Sequence, residues 1–177
     1  YLKVAREQGF AAMRRRIWRR AGVIYAAHVA LLLFLLWVVL PVAVNRGAHP
    51  VTDLASFYLA HPRVALAAGL ALVYNPPLLD ILPMYVLFMA ASPLLLALAA
   101  RRGWRPVIIG SVGLWLLSQL DAGRAIYDMA AVAFALPVPY NQTGSFAFLA
   151  WQAMWVGGLW AGSRSVDGNP LPQMRSK

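Results

Sequence analysis

Leu78-Leu79-Asp80-Ile81-Leu82-Pro83-Met84-Tyr85 opens an apolar run that continues to Ala100, and its reading decides the fold. A helix of that length can cross the roughly 30 Å hydrocarbon core of a bilayer. Pro83 suits the first turn of such a helix, where its missing N–H would have no partner anyway. Asp80 then falls at the N-cap, its carboxylate set to accept from the first free amides. A carboxylate left in hydrocarbon costs roughly 2.5 kcal/mol or more, so it calls for a partner or a wet cavity. Asp80 therefore has two readings: a helix cap, or a polar group held at the mouth of a membrane site.

The rest of the chain agrees with a membrane setting. Of 177 residues, 61% are hydrophobic and 12% charged, and the mean hydropathy is +0.62. These values belong to a polytopic membrane protein rather than a soluble domain. Four segments are predicted to span, at 21–44, 81–100, 106–120 and 146–162, the third being short. The fold class expected is all-α: a transmembrane helical bundle with short interfacial helices in the exterior loops. Residues 1–20 read as a cytoplasmic basic segment, 21–163 as the membrane domain and 164–177 as a polar tail expected to be disordered. The first residue is Tyr1, and the chain reads as part of a longer protein. There is no cysteine, and the sequence has no metal-ligand spacing and no glycine-rich phosphate loop.

A net charge of +10 would suit nucleic acid, but its distribution argues for a membrane instead. Lys3, Arg6, Arg14, Arg15, Arg16, Arg19 and Arg20 precede the first span; Arg101, Arg102 and Arg105 follow the second; Arg164, Arg175 and Lys177 follow the fourth. If the spans alternate, these share one side and leave only Arg46, Arg63 and Arg124 on the other. That asymmetry places the basic side, and both chain ends, in the cytoplasm. The exterior loop 45–79 is expected to hold short helices at 53–60 and 64–74, ended by Asn75-Pro76-Pro77. The loop 121–145 is expected to carry another helix and then a turn-rich strap at Pro137-Val138-Pro139-Tyr140-Asn141.

Along the first span, Arg14, Trp18, Ala21, Tyr25 and His28 recur at steps of four and three, one stripe of a helix. His28 lies roughly 20 Å along the axis from Arg14, at hydrocarbon depth. An ionisable residue there is a functional hypothesis by default, the plain alternative being an interhelical hydrogen bond. Arg16, Arg19 and Arg20 either anchor the span or form a phosphate-binding surface, since guanidinium forks match phosphate geometry. Asp121, Arg124 and Asp128 are spaced as a local salt-bridged face. His49 and His61 read as surface residues. Gln152 is expected to pair with another helix, and Gly157 and Gly158 to permit close helix approach.

Three markers together resemble the OpgC family: Arg19-Arg20-Ala21 with Tyr25-Ala26-Ala27-His28, then Leu79-Asp80-Ile81-Leu82-Pro83-Met84-Tyr85, then Ala150-Trp151-Gln152. The resemblance covers nearly the whole chain, and the Asp-Ile-Leu-Pro-Met-Tyr string is its most specific part. It implies a bacterial inner-membrane protein similar to the type 3 acyltransferases, associated with succinylation of periplasmic glucans. The family's Asn-Pro before Ala-Trp-Gln is replaced here by Ala147-Phe148. Its Arg-ten-residues-His pair is also absent, since Ile17 stands eleven residues before His28. The resemblance therefore implies that the main general base lies upstream, on helices of the same full-length protein.

What the resemblance implies for this chain is acyl transfer from a cytoplasmic acyl-coenzyme A, succinyl-coenzyme A in particular, to a polysaccharide hydroxyl. His28 and Asp80 are then the catalytic candidates, and Arg16, Arg19 and Arg20 the donor-binding ones. Tyr25, Tyr85 and Gln152 are acceptor-side or core polar residues. No metal and no permanently bound cofactor is expected. The expected partners are the bilayer, the acyl-coenzyme A, the polysaccharide and the upstream helices, and not nucleic acid. A transporter or flippase component, or a structural membrane subunit, would also carry intramembrane polar residues.

Overall fold

A glycine and a proline account for the irregular turns of the first long helix. The computed structural model describes residues 2–76, 79–144 and 147–166, with residues 2–6 described by backbone alone. Helix α1 (Leu2–Phe34) is broken once, at Gly9, whose φ of 85° is open to glycine and strained for other residues. It continues through a π-helical turn, Leu35–Val39, into α2 (Leu40–Asn45). Pro41 has no N–H for the Trp37 carbonyl and its ring would crowd it, so the chain widens there. The Leu40 N–H accordingly reaches back five residues, to the Leu35 carbonyl.

Short helices α3 (His49–Leu54), α4 (Ser56–Ala60) and α5 (Pro62–Leu70) follow. The two helices expected at 53–60 and 64–74 are thus three, because His49-Pro50 and His61-Pro62 each supply a proline within a first turn. Next come α6 (Ile81–Arg102), α7 (Trp104–Ser118), α8 (Ala122–Phe134) and α9 (Phe148–Val166), with a 3₁₀ turn at Tyr140–Gln142. Every regular element among the described residues is helical.

Among the described residues, two helices are long and apolar enough to cross a membrane: Glu7–Asn45 and Ile81–Arg102. The span expected at 106–120 ends at Ser118, and α7 and α8 are bent by 87° at a break; taken together they would make a third crossing. The span expected at 146–162 forms α9, 19 residues long. It falls short of that standard because Gln152, Arg164 and three glycines dilute its apolar residues. Its helix takes in residues 164–166 of the expected tail. Residues 167–177 lie outside the described residues, as do Leu78, Ser145 and Phe146.

The chain divides into two compact units. One comprises described residues 2–22, 87–121 and 148–166. Its core joins Ala99 of α6, Val107 of α7 and Val156 of α9, with Leu95, Leu98 and Trp104 packed against them. Pro93 interrupts α6, and Ser92 beside it donates its hydroxyl to the Phe88 carbonyl (2.8 Å) while accepting from Trp155 Nε1 (2.9 Å). The Phe88 ring packs on Phe148 and Trp155, with centroids 4.7 and 5.7 Å away. Among the described residues, Gly157 and Gly158 mediate no close approach: a Cβ added at either meets nothing within 4 Å.

The other unit comprises described residues within 23–86 and 122–147. Leu32, Leu36, Leu40 and Ala55 form one core cluster. Ala65, Tyr74 and Val138 form a second, with Phe57 and Tyr58 against it. This second cluster fastens the strap after α8 to the end of α5, through Val138.

Candidate functional site

Helix α5 ends in a Schellman motif, and the candidate residues of the first span gather on it. Val73 N–H reaches the Ala68 carbonyl (2.8 Å) and Leu72 N–H the Gly69 carbonyl (3.1 Å), with Leu72 in the left-handed region at φ 63°. The last carbonyls of a helix lack internal partners, and two side chains of α1 supply them. The Tyr25 hydroxyl donates to the Leu70 carbonyl (2.8 Å), and His28 Nε2 contacts the Gly69 carbonyl at 3.2 Å. Gly69 leaves room beside this contact: a Cβ there would lie 2.8 Å from Leu32 Cδ2, and the leucine side chain would have to shift.

His28 is 0% exposed. A carbonyl only accepts, so Nε2 must carry the proton, which fixes the neutral tautomer and leaves the Nδ1 lone pair free. Nδ1 is buried and has no hydrogen-bond partner. The ring is therefore oriented at one nitrogen and keeps an unused lone pair at the other. The stripe that His28 belongs to differs from the expected one. Met13, Ile17, Ala21, His28 and Leu32 are buried, whereas Arg14 is exposed and Trp18 is 56% exposed. The buried face is centred a fraction of a turn from Arg14 because its apolar members begin at Met13.

A second polar group lies where the chain leaves α5 and approaches α6. Asn75 N–H donates to the Gln142 carbonyl (3.0 Å), and its Nδ2 to the carbonyls of Thr143 (2.6 Å) and Leu72 (3.4 Å). Its Oδ1 is buried without a partner. Asp80 immediately precedes α6, at the expected N-cap position, and is buried. Gly144, at φ 114°, brings the strap against both: a Cβ there would lie 2.9 Å from Asp80 Cβ and 3.5 Å from Asn75 Cβ. The strap is held from its other end by the Tyr127 hydroxyl, which donates to the Val138 carbonyl (2.7 Å), and by the Tyr127–Tyr140 ring pair. Tyr74, fully buried against Phe57, also has a hydroxyl with no well-formed hydrogen bond. Burial pushes that phenol up to about 12, against a weaker pull from the Tyr58 backbone, so it stays protonated.

The remaining candidates are placed as follows. Arg16, Arg19 and Arg20 are exposed and, at spacings of three and four, share one face of α1. Tyr85 is half-buried in the second turn of α6. Gln152 is paired with another helix, as expected: its Nε2 donates to the Ser111 carbonyl (2.7 Å) and its Oε1 accepts from the Ser111 hydroxyl (2.8 Å). Of the expected Asp121–Arg124–Asp128 face, only Arg124 and Asp128 meet, at 3.8 Å and largely exposed, a contact worth little. Asp121 is instead the left-handed residue (φ 57°) between α7 and α8. His49 and His61 are exposed. Among the described residues no group of three or more His, Cys, Asp or Glu could hold a metal.

Sequence reasoning missed Asn75, Tyr74 and Gly144. Asn75 was legible only as the residue before Pro76-Pro77, where it reads as a helix terminator. Gly144 sits in a strap without periodicity.

The fold and site together describe an all-helical membrane protein with buried, incompletely paired polar groups beside its first long span. The OpgC protein family model matches residues 1–176, and the chain belongs to that family. Membership supports a membrane acyltransferase-type role at the level of the family. A search of the curated proteins and of the solved structures found no significant match.

Proposed function

We propose that this chain serves an integral membrane O-acyltransferase of the bacterial inner membrane, carrying an acyl group such as succinyl from cytoplasmic acyl-coenzyme A to a hydroxyl of a periplasmic glucan. In this reading the basic segments face the cytoplasm, following the positive-inside bias. The coenzyme's phosphates are held by Arg16, Arg19 and Arg20, whose forks suit bidentate phosphate contacts.

The observation that carries the reading is His28. It is buried within the first long span, oriented through Nε2 by the Gly69 carbonyl, and left with an unpartnered Nδ1. The reaction needs one proton moved. The acceptor hydroxyl gives its proton to the general base, which this reading places on the upstream helices, as its oxygen attacks the thioester carbonyl carbon. The carbon–sulfur bond breaks, and the departing thiolate takes the proton, with the free Nδ1 of His28 available to hold that base in place. Asp80, beside the strap, orients the acceptor or the base.

The test uses membranes containing the full-length protein, labelled succinyl-coenzyme A and a β-glucan. Label entering the glucan in proportion to the amount of protein supports acyl transfer. Glucan or donor crossing the membrane with no covalent label would overturn it in favour of a transporter.

A further inference from the structure

The amide of Asn75 is fixed in one orientation by its surroundings. Both groups facing its nitrogen are carbonyls, Thr143 at 2.6 Å and Leu72 at 3.4 Å, and carbonyls accept only. Turning the amide over would set oxygen against oxygen, so Nδ2 must face the strap. Oδ1 then points away from the strap as a rigid acceptor, and it finds no protein donor although the side chain is 8% exposed. Leaving a buried acceptor unpaired is costly, and such groups are few in native proteins. Asp80 is packed against the same Gly144, so both residues belong to one loop site. The unpaired Oδ1 can only accept, so it selects a ligand that brings a donor such as a hydroxyl.

We propose that Asn75 is an acceptor-binding residue: its Oδ1 takes a hydrogen bond from a sugar hydroxyl next to the one that is acylated. This rests on the acyltransferase reading for the identity of the ligand. The role also explains why the strap is bonded to the Asn75 amide rather than to its oxygen. Strap contacts use the donor end and preserve the acceptor end for substrate.

The experiment is binding of a β-linked glucose oligosaccharide, and of its set of mono-deoxy analogues, to the full-length protein in lipid nanodiscs. One neutral hydrogen bond in a buried site corresponds to about fivefold to tenfold in affinity. One deoxy analogue should bind wild type that much more weakly, and N75A should bind the parent sugar and that analogue equally. N75L, close in shape to asparagine and without any acceptor, repeats the cycle should the alanine variant lose the strap and fail to fold. If no single deoxygenation weakens binding to wild type, or if the sensitive hydroxyl loses as much in the variants, Asn75 serves the strap or water alone and the proposal is overturned. Acyl transfer is scored separately. Transfer with a flat deoxy series sinks only the Asn75 assignment, whereas sugar coupling without transfer keeps Asn75 as a sugar contact and sinks the acyltransferase reading.

Discussion

Gln152 and His28 are both buried polar side chains in an apolar chain, and both bind a backbone carbonyl of another helix. They differ in what is left over. Gln152 and Ser111 exchange bonds in both directions, and each satisfies the other. His28 caps Gly69 with one nitrogen and keeps the other without a partner, and Asn75 does the same with its amide. A closed pair fixes two helices in register and has no capacity for a ligand. An open one carries the cost of an unsatisfied atom, a cost that a ligand or a neighbouring donor would relieve. The comparison leaves Gln152 a closed structural pair and His28 and Asn75 as the residues with an atom to spare for the proposed function.

The largest effect is expected at His28. Glutamine places an amide nitrogen near the position of Nε2, so His28→Gln can retain the cap on Gly69 while removing Nδ1. Acyl incorporation into glucan should fall by roughly 10²-fold or more, with protein abundance and thermal stability in detergent close to wild type. Full activity in that variant would put His28 in the same class as Gln152.

At Asp80 the expected loss is smaller. Asparagine is also a good N-cap, so Asp80→Asn should cost about 1 kcal/mol of stability or less. It removes the charge, and transfer per molecule should drop about tenfold if the carboxylate orients a base or the acceptor. Unchanged transfer would return Asp80 to a purely structural role.

The arginines come next. Replacing Arg16, Arg19 and Arg20 by lysine keeps the charge and loses the planar fork. Coenzyme A binding, measured by equilibrium dialysis on the full-length protein, should weaken several-fold while membrane insertion is retained. Wild-type binding would mean that the three only anchor the span.

The smallest effect sharpens the other side of the comparison. Gln152→Leu alone strands the Ser111 hydroxyl and should destabilise by about 0.6–2 kcal/mol, read from thermal unfolding in detergent. Adding Ser111→Ala should recover part of that loss, and neither change should alter transfer per folded molecule. A selective loss of transfer would move Gln152 into the site.

Much of the local structure was legible before any coordinates. Pro83 acts on its own turn, so the start of α6 after Asp80 follows from neighbouring residues. The widened turn before Pro41 and the helix started by Pro50 have equally local causes, though hydropathy alone does not show them. The extent of the crossings was less legible. Hydropathy along 106–120 gives no sign that Asp121 turns left-handed and that α8 leaves α7 at 87°. The stripe through Arg14 and Trp18 was drawn from spacing alone, and spacing does not say which face of a helix has a neighbour.

The sequence by itself determined that the chain is helical, apolar enough for a bilayer, asymmetric in charge, and akin to the OpgC family. Each of those properties is local or summed, and needs no knowledge of what touches what. Only the tertiary structure decided which polar groups are paired. Gln152 meets Ser111 and His28 meets Gly69 across 41 residues of chain, and Asn75 meets Thr143 across 68. A hydrogen bond depends on atoms within about 3 Å, and at such separations only the fold determines which atoms those are.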